Sequence, residues 1–110
     1  MIRFLAAPLC MLALAGCSDG STSVVIENKS SAKLQSVQAS GPGFAAYVGE
    51  LRPGERNEIK IYPRGEAGLA LAFKANGHEF TSPVAGYFES GDKVSVIVAQ
   101  DMSVDIDAKF

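Results

Sequence analysis

The chain contains few residues whose chemistry could support catalysis or metal binding. It has one histidine, His78, and two cysteines among its 110 residues. An imidazole can act as a base or bind a metal, but either role needs partner residues, and no second histidine or spaced set of carboxylates accompanies His78. A hydrolytic triad would also depend on His78, because it is the only base available to activate a nucleophile. We therefore expect no enzymatic activity, no metal and no cofactor, and we interpret His78 as a solvent-facing hairpin residue.

The other reactive group is the thiol of Cys17. It follows Leu14-Ala15-Gly16, at the end of an apolar run that starts behind Arg3, and a polar Ser/Gly/Asp segment comes next. This stretch resembles the lipobox of bacterial lipoproteins. The resemblance implies that residues 1–16 are a signal peptide, cut between Gly16 and Cys17, and that Cys17 is acylated with a diacylglyceryl group.

Two other interpretations of the N-terminal run are a transmembrane helix and an ordinary secretory signal. A membrane span needs about 20 apolar residues, whereas the run from Phe4 to Ala15 is shorter and contains Pro8. A secretory signal also has small residues before its cut, but the cysteine directly after them favours the lipoprotein. Two or more acyl chains hold a protein stably at a bilayer, so this interpretation requires no spanning segment.

The resemblance also implies a location. The chain would be exported and tethered through Cys17 to an envelope membrane, with its domain in the periplasm. Ser18 stands where inner-membrane lipoproteins of enterobacteria carry an aspartate, which favours the outer membrane. Asp19, one position later, keeps the inner membrane open as an alternative.

The mature chain, residues 17–110, has the length of one small domain. Without Arg3 it has nine of the ten basic residues against twelve acidic ones, a net charge near −3. We expect no nucleic-acid partner, since such binding needs a basic patch. Cys10 would leave with the signal and Cys17 would be alkylated, so packing without a disulfide must stabilise the domain.

Alternating apolar and polar residues predict strands from residue 22 onward, after a flexible tether at 17–21. Asn76-Gly77 predicts a type I′ hairpin turn and Arg52-Pro53-Gly54-Glu55 another tight turn. Pro83 predicts a break or bulge, because proline cannot donate to a ladder. The predicted strands are 22–27, 33–39, 44–51, 57–62, 69–73, 78–88, 93–99 and 104–106.

Seven or eight short strands predict an all-β fold, a single small antiparallel β-sandwich over residues 22–110, with a small barrel as the alternative. The connections at Gly41–Gly43 and Pro53-Gly54 resemble those of immunoglobulin-like or transthyretin-like modules. The run from Val94 to Ala99 is strongly β-prone and low in charge. It must be covered by neighbouring strands, because an exposed edge of this kind would aggregate.

Aromatic residues give the only signal of an interaction surface. Tyr87 and Phe88 are adjacent and must point to opposite faces of a strand, so one of them leaves the core. Tyr47, Tyr62 and Tyr87 form the predicted interaction surface, because tyrosine is favoured at recognition sites. The alternative is that these rings cover sheet edges with their hydroxyl groups in water.

These observations favour a membrane-anchored envelope lipoprotein that acts as a non-enzymatic binding or assembly module for an envelope protein. Strand addition at an exposed sheet edge is the binding mode that such a domain supports most easily. The alternative is a periplasmic inhibitor of a hydrolase such as lysozyme. Against it, the chain lacks the disulfide and the tryptophan-containing motif expected of the better-known inhibitor family.

Overall fold

The computed structural model describes residues 20–109, and every regular element in this range is a β-strand. The strands fall into two sheets that pack face to face as a small β-sandwich, as the sequence predicts. They are β1 (Thr22–Asn28), β2 (Leu34–Gly41), β3 (Phe44–Leu51), β4 (Arg56–Ile61), β5 (Ala67–Ala75), β6 (His78–Thr81), β7 (Ala85–Phe88), β8 (Lys93–Val98) and β9 (Val104–Lys109).

The first sheet has the strand order β9-β8-β1-β4. β8 contains most of the β-prone run that was predicted to be covered, and it lies between two other strands, so that prediction is confirmed. β1 pairs with β4 in the antiparallel sense but with β8 in parallel. Among the described strands this is the one parallel pair, in a sandwich that is otherwise antiparallel.

The second sheet has the order β3-β2-β5-β6, and β7 also pairs with β5. β6 and β7 come from the single run predicted over residues 78–88. The run divides at Ser82–Val84 because Pro83 has no N–H to continue the ladder. This division brings the number of strands in the described range to nine.

The pairing of β1 distinguishes between the immunoglobulin-like and the transthyretin-like resemblance. Constant-type immunoglobulin domains pair their first strand with their second, in the sheet order ABED. Here β1 lies between β4 and β8, and β2 belongs to the other sheet. The strand order therefore differs from the immunoglobulin arrangement, and the transthyretin-like resemblance remains the prediction.

The core lies between the two sheets and follows from the period-two alternation of the strands. Phe88 is 1% exposed whereas Tyr87 is 74% exposed, which confirms that one of these adjacent rings leaves the core. The buried apolar side chains are Val24, Ile26, Leu34, Val37, Ala39, Leu51, Ile61, Ala67, Leu69, Leu71, Phe73, Ala75, Phe88, Val94, Val96 and Val98.

Both predicted turns are present. Asn76 and Gly77 have φ values of 52° and 79°, the two positive angles that a type I′ turn requires, and they join β5 to β6. At the other turn the Glu55 N–H donates to the carbonyl oxygen of Arg52 at 2.9 Å. These turns fix the registers of β5 with β6 and bring β3 close to β4.

The sandwich has two ends that matter for the site. We call the end at which the chain enters β1, near residue 20, the entry end, and the opposite end the far end. β8 is parallel to β1, so Lys93 also lies at the entry end, and the short turn after Phe88 places the end of β7 there. Because Ala67 pairs with Phe88, β5 runs from the entry end to the far end, and β6 lies in the far half.

Candidate interaction site at the open edge of the sandwich

The three tyrosines predicted as an interaction surface are all solvent-exposed. The exposed fractions are 70% for Tyr47, 56% for Tyr62 and 74% for Tyr87. Tyr47 is on β3, Tyr62 directly follows β4, and Tyr87 is on β7, so the rings lie along edge strands of both sheets. Within residues 20–109 no ring contact joins any two of them.

The predicted lipidation residue Cys17 and the predicted cleavage residue Gly16 lie outside the described residues. His78 is exposed at the start of β6, directly after the hairpin turn. In the described part of the chain, no group of three or more His, Cys, Asp or Glu side chains could hold a metal ion. None of the residues from 20 to 109 belongs to a helix that could cross a membrane.

The strand β6 has one occupied edge and one open edge. Ser82 donates its N–H to the carbonyl oxygen of Leu71 at 2.9 Å, which fixes the ladder with β5. Hydrogen-bonded and non-hydrogen-bonded pairs alternate along an antiparallel ladder. The backbone N–H and C=O groups of Glu79 and Thr81 therefore point away from β5, and β6 pairs with no other described strand. This edge can accept a further strand.

A cleft of about 280 Å³ lies beside this edge. It is bounded on one side by the segment from Phe80 to Pro83 and on the other by the segment from Met102 to Val104. The Phe80 ring stacks on the buried Phe73 ring at a centroid distance of 5.3 Å and an interplanar angle of 19°. The floor of the cleft is thus continuous with the hydrophobic core.

The cleft is absent further along the same side of the sandwich because β7 approaches β9 there. A Cβ atom on Gly86 would lie 2.8 Å from Cγ2 of Ile106, so the two strands can come this close only because residue 86 has no side chain. Phe88, at the end of β7, is buried. The side is therefore closed near the entry end and open near the far end.

The rim of the cleft carries an acidic side chain in a fixed position. Asp101 Oδ1 accepts hydrogen bonds from the backbone N–H of Ser103 at 3.0 Å and from its hydroxyl group at 2.6 Å. These two bonds hold the pKa of Asp101 below its usual value. Because Ser103 lines the cleft, a carboxylate that remains charged lies at the mouth.

Sequence reasoning found the exposed tyrosines and the break at Pro83 but missed the cleft. Met102 lies in the turn between β8 and β9 and has a positive φ of 68°. Two sequence features could have indicated the open edge: the short segment before Pro83 and the methionine just before the last strand. Neither signal shows that the two segments face each other, because that depends on how the sheets pack.

The comparisons with known proteins bear on the fold alone. No protein-family model matches the chain, and no curated protein matches it. Among solved structures, the chain is similar to one described as an NMR structure of the protein from Eubacterium rectale, with a TM-score of 0.58 and 15% sequence identity. The similarity covers 84% of this chain and 92% of the other. At this identity it supports the small β-sandwich and carries no information on activity.

Proposed function

We propose that this protein is a lipid-anchored envelope lipoprotein whose sandwich is a non-enzymatic binding module. The anchor is Cys17, and the location is the periplasmic face of the bacterial outer membrane. The sandwich binds an extended segment of an envelope protein by strand addition at β6. The observation that carries this proposal is the open backbone edge of β6 beside an apolar cleft.

The position of the cleft agrees with a membrane anchor at the N-terminus. Thr22 is five positions after Cys17, so an extended tether reaches at most about 18 Å. The entry end of the sandwich is then held close to the bilayer. The cleft lies in the far half, where a partner in the periplasm can reach it.

Strand addition supplies both affinity and specificity in this geometry. Backbone groups of Glu79 and Thr81 provide hydrogen bonds to any extended peptide, whatever its sequence. The cleft selects among peptides through the side chains that alternate along the added strand. Pro83 limits the added strand, since it offers no N–H beyond Ser82.

Site-specific photo-crosslinking tests the binding mode. A photoreactive phenylalanine analogue replaces Met102, which lines the cleft, in the full chain expressed in a bacterial host with its envelope intact. The same analogue at Tyr47 is the matched control, because that residue is exposed at the opposite edge of the second sheet. We expect a discrete adduct from position 102 that is absent from position 47.

The variant Thr81→Pro shows whether the adduct depends on the β6 edge. It removes an N–H that points away from β5, and edge strands tolerate proline at such positions. The adduct should disappear in this variant and persist in Thr81→Val, while circular dichroism shows that both are folded. An adduct that survives Thr81→Pro, or no adduct at position 102, contradicts strand addition. Inhibition of lysozyme by the purified sandwich would support the inhibitor alternative instead.

The anchor has an independent test. Labelled palmitate should be incorporated into the wild-type chain and not into Cys17→Ser, because the serine hydroxyl cannot take the place of the acylated thiol. Membrane fractionation should show the wild-type chain in the outer membrane and the variant in the soluble periplasmic fraction. Incorporation that survives the substitution would contradict the lipoprotein assignment.

A further inference from the structure

We propose that β3 is the interface through which two copies of this chain join edge to edge as a symmetric dimer. This inference goes beyond the proposed binding at β6, because β3 lies at the opposite edge of the second sheet. It follows from three features of β3: an open backbone edge, the absence of the residues that protect the other edges, and a sequence that can pair with itself.

The backbone edge of β3 that faces away from β2 is open. β3 pairs with β2 and with no other described strand. The two-residue turn Pro42-Gly43 joins β2 to β3, so the backbone N–H of Phe44 is directed toward β2. Because hydrogen-bonded pairs alternate along an antiparallel ladder, the N–H and C=O groups of Ala45 and Tyr47 point away from β2.

The edges formed by β4, β6 and β9 carry features that discourage pairing, and β3 lacks them. Charged side chains, proline and short length protect an edge strand. β4 and β9 have charged residues at alternate positions, namely Arg56, Glu58, Lys60, Asp105 and Asp107. β6 has only four residues, and Pro83 follows it closely. Residues 44–49 of β3 contain neither a charge nor a proline, and an uncovered edge of this kind would aggregate.

One antiparallel register joins the outward-facing groups of two copies reciprocally. Ala45 of each copy pairs with Tyr47 of the other, around a two-fold axis at Ala46. A shift by two residues would pair either Ala45 or Tyr47 with itself. The other residue would then face the turn at Gly43 or face Gly49, which pairs with β2. The reciprocal register is therefore the one that satisfies these backbone groups.

The same register brings compatible side chains together on both faces of the sheet. On the inner face Phe44 lies opposite Val48 of the second copy, and aromatic and β-branched residues form favourable cross-strand pairs. Phe44, Ala46 and Val48 pack against the core but are only partly buried in one copy. On the outer face the exposed Tyr47 lies opposite the small Ala45. Dimerisation thus removes further apolar surface from water.

The charges at the two ends of the paired strands are complementary. The Cγ and Cδ atoms of Arg64 lie 3.8 Å from the position of a Cβ atom on Gly43. In the proposed register Gly43 of one copy is level with Gly49 of the other, next to the exposed Glu50. Within residues 20–109 Glu50 contacts Lys33 at 3.8 Å, whereas Arg64 belongs to no ion pair. Each copy can therefore present a cation to the Glu50 carboxylate of the other.

The dimer is compatible with a lipid anchor on each copy. Its two-fold axis is perpendicular to the sheet, so the two N-termini lie at the same level along this axis and both tethers can reach one bilayer. The joined sheet has the order β6-β5-β2-β3-β3-β2-β5-β6, in which both copies of β6 keep their open edge. Pairing of β3 with β6 would instead leave a free edge at each end and would continue without closure.

Disulfide crosslinking of the full chain in membranes tests the dimer. Ala46→Cys places two thiols at a non-hydrogen-bonded pair on the two-fold axis, where Cα atoms are about 4.5 Å apart. Membranes prepared under reducing conditions should give a band of twice the mass of the chain when oxidant is added. Ala72→Cys, which is also half-buried but lies on the central strand β5, is the matched control and should give no more of this band than the wild type.

Two further changes in the Ala46→Cys chain show whether the band depends on the β3 edge. Tyr47→Pro removes an N–H that points away from β2 and should abolish the band, whereas Tyr47→Phe should keep it. Arg64→Glu should slow crosslinking by about 3- to 10-fold, as expected for exposed ion pairs, and Glu50→Arg in the same chain should restore the rate. Circular dichroism checks that each variant is folded.

The results that would overturn the dimer are equally specific. A band no stronger from Ala46→Cys than from Ala72→Cys, or one that survives Tyr47→Pro, contradicts pairing through β3. A mixed disulfide with a different protein at position 46 would mean that this edge does not bind a second copy. The photoreactive analogue at Tyr47 should yield only an adduct of twice the mass of the chain, which distinguishes it from the adduct expected at Met102.

Discussion

β6 and β7 pair with the same strand of the second sheet, but β6 has an open edge and β7 closes against β9. Both pair with β5, and both are four residues long. β7 lies against β9 and contributes the buried Phe88, so it closes its part of the sandwich. β6 stays apart from β9, and its partly buried Phe80 lines a cleft. The open edge is therefore a local feature of a sandwich that is closed elsewhere on the same side.

The difference between β6 and β7 depends on the size of the groups that each strand presents to β9. Gly86 presents only backbone, so Ile106 can approach to a distance that no other residue allows. On β6 the corresponding space is bounded by the Phe80 side chain and by the turn around Met102. A bulky ring and a turn keep the strands apart, whereas a glycine lets them meet. The cleft is thus built by side-chain size and not by a missing element.

Replacing the two phenylalanines gives the largest expected contrast. Phe88→Ala should lower the free energy of unfolding by about 3–5 kcal/mol, because it leaves a cavity in the core. Phe80→Ala should cost about 1–2 kcal/mol, because water already reaches part of the ring. Urea denaturation of the purified sandwich measures both values. Equal losses would mean that the cleft is closed in solution and that the two strands do not differ.

Substitution of Gly86 tests the closure directly. Gly86→Ala introduces a Cβ that meets Ile106 and also requires a positive φ of 71°, and we expect a loss of about 2–4 kcal/mol. Gly65→Ala is the matched control, because its φ is 73° and nothing lies within 4 Å of its added Cβ. It should lose only about 1–2 kcal/mol, the cost of the backbone conformation. If the two variants unfold at the same urea concentration, contact with Ile106 does not close this side.

Local sequence signals predicted the strands well, because strand patterns and turn residues act over a few positions. Asn76-Gly77 and Pro83 each set the chain direction where they stand, and the β-prone run from Val94 to Ala99 predicted a strand that its neighbours cover. The approach of Gly86 to Ile106 could not be read in the same way. This contact joins residues of different sheets. The distance between them depends on packing across the sandwich, for which the sequence has no local pattern.

The candidate site likewise contains residues with a local sequence signal and residues without one. The tyrosines were predicted at the surface because tyrosine is favoured at recognition sites, and all three are exposed. The cleft required Phe80 and Met102 to face each other from segments about twenty residues apart. Their meeting follows from the order of the strands, with β6 and β9 both at edges.

A smaller effect should come from Ser82, where β6 ends. Its hydroxyl oxygen accepts the N–H of Leu71 at 2.9 Å, in place of the ladder bond that a longer strand would make. Ser82→Ala leaves that N–H without its partner and should cost about 1–2 kcal/mol. Ser95→Ala, on the outer face of β8, should change stability by less than about 0.5 kcal/mol. Faster amide exchange at Leu71 in Ser82→Ala alone would locate the effect at the junction of β6 and β7.

The smallest expected effect concerns the rim of the cleft, and it appears as a pH dependence. Ser103 holds the pKa of Asp101 below its value in the unfolded chain, so the folded state binds the proton less tightly. The resulting stabilisation is present above the unfolded pKa and is lost as the pH falls through the folded pKa. Carbon-detected NMR titration should show the midpoint of Asp101 rising toward its ordinary value in Ser103→Ala, and remaining low in Ser95→Ala. An unchanged midpoint in Ser103→Ala would mean that Ser103 does not hold the carboxylate at the mouth of the cleft. The open edge at β6 and the closed edge at β7 would then differ in shape alone.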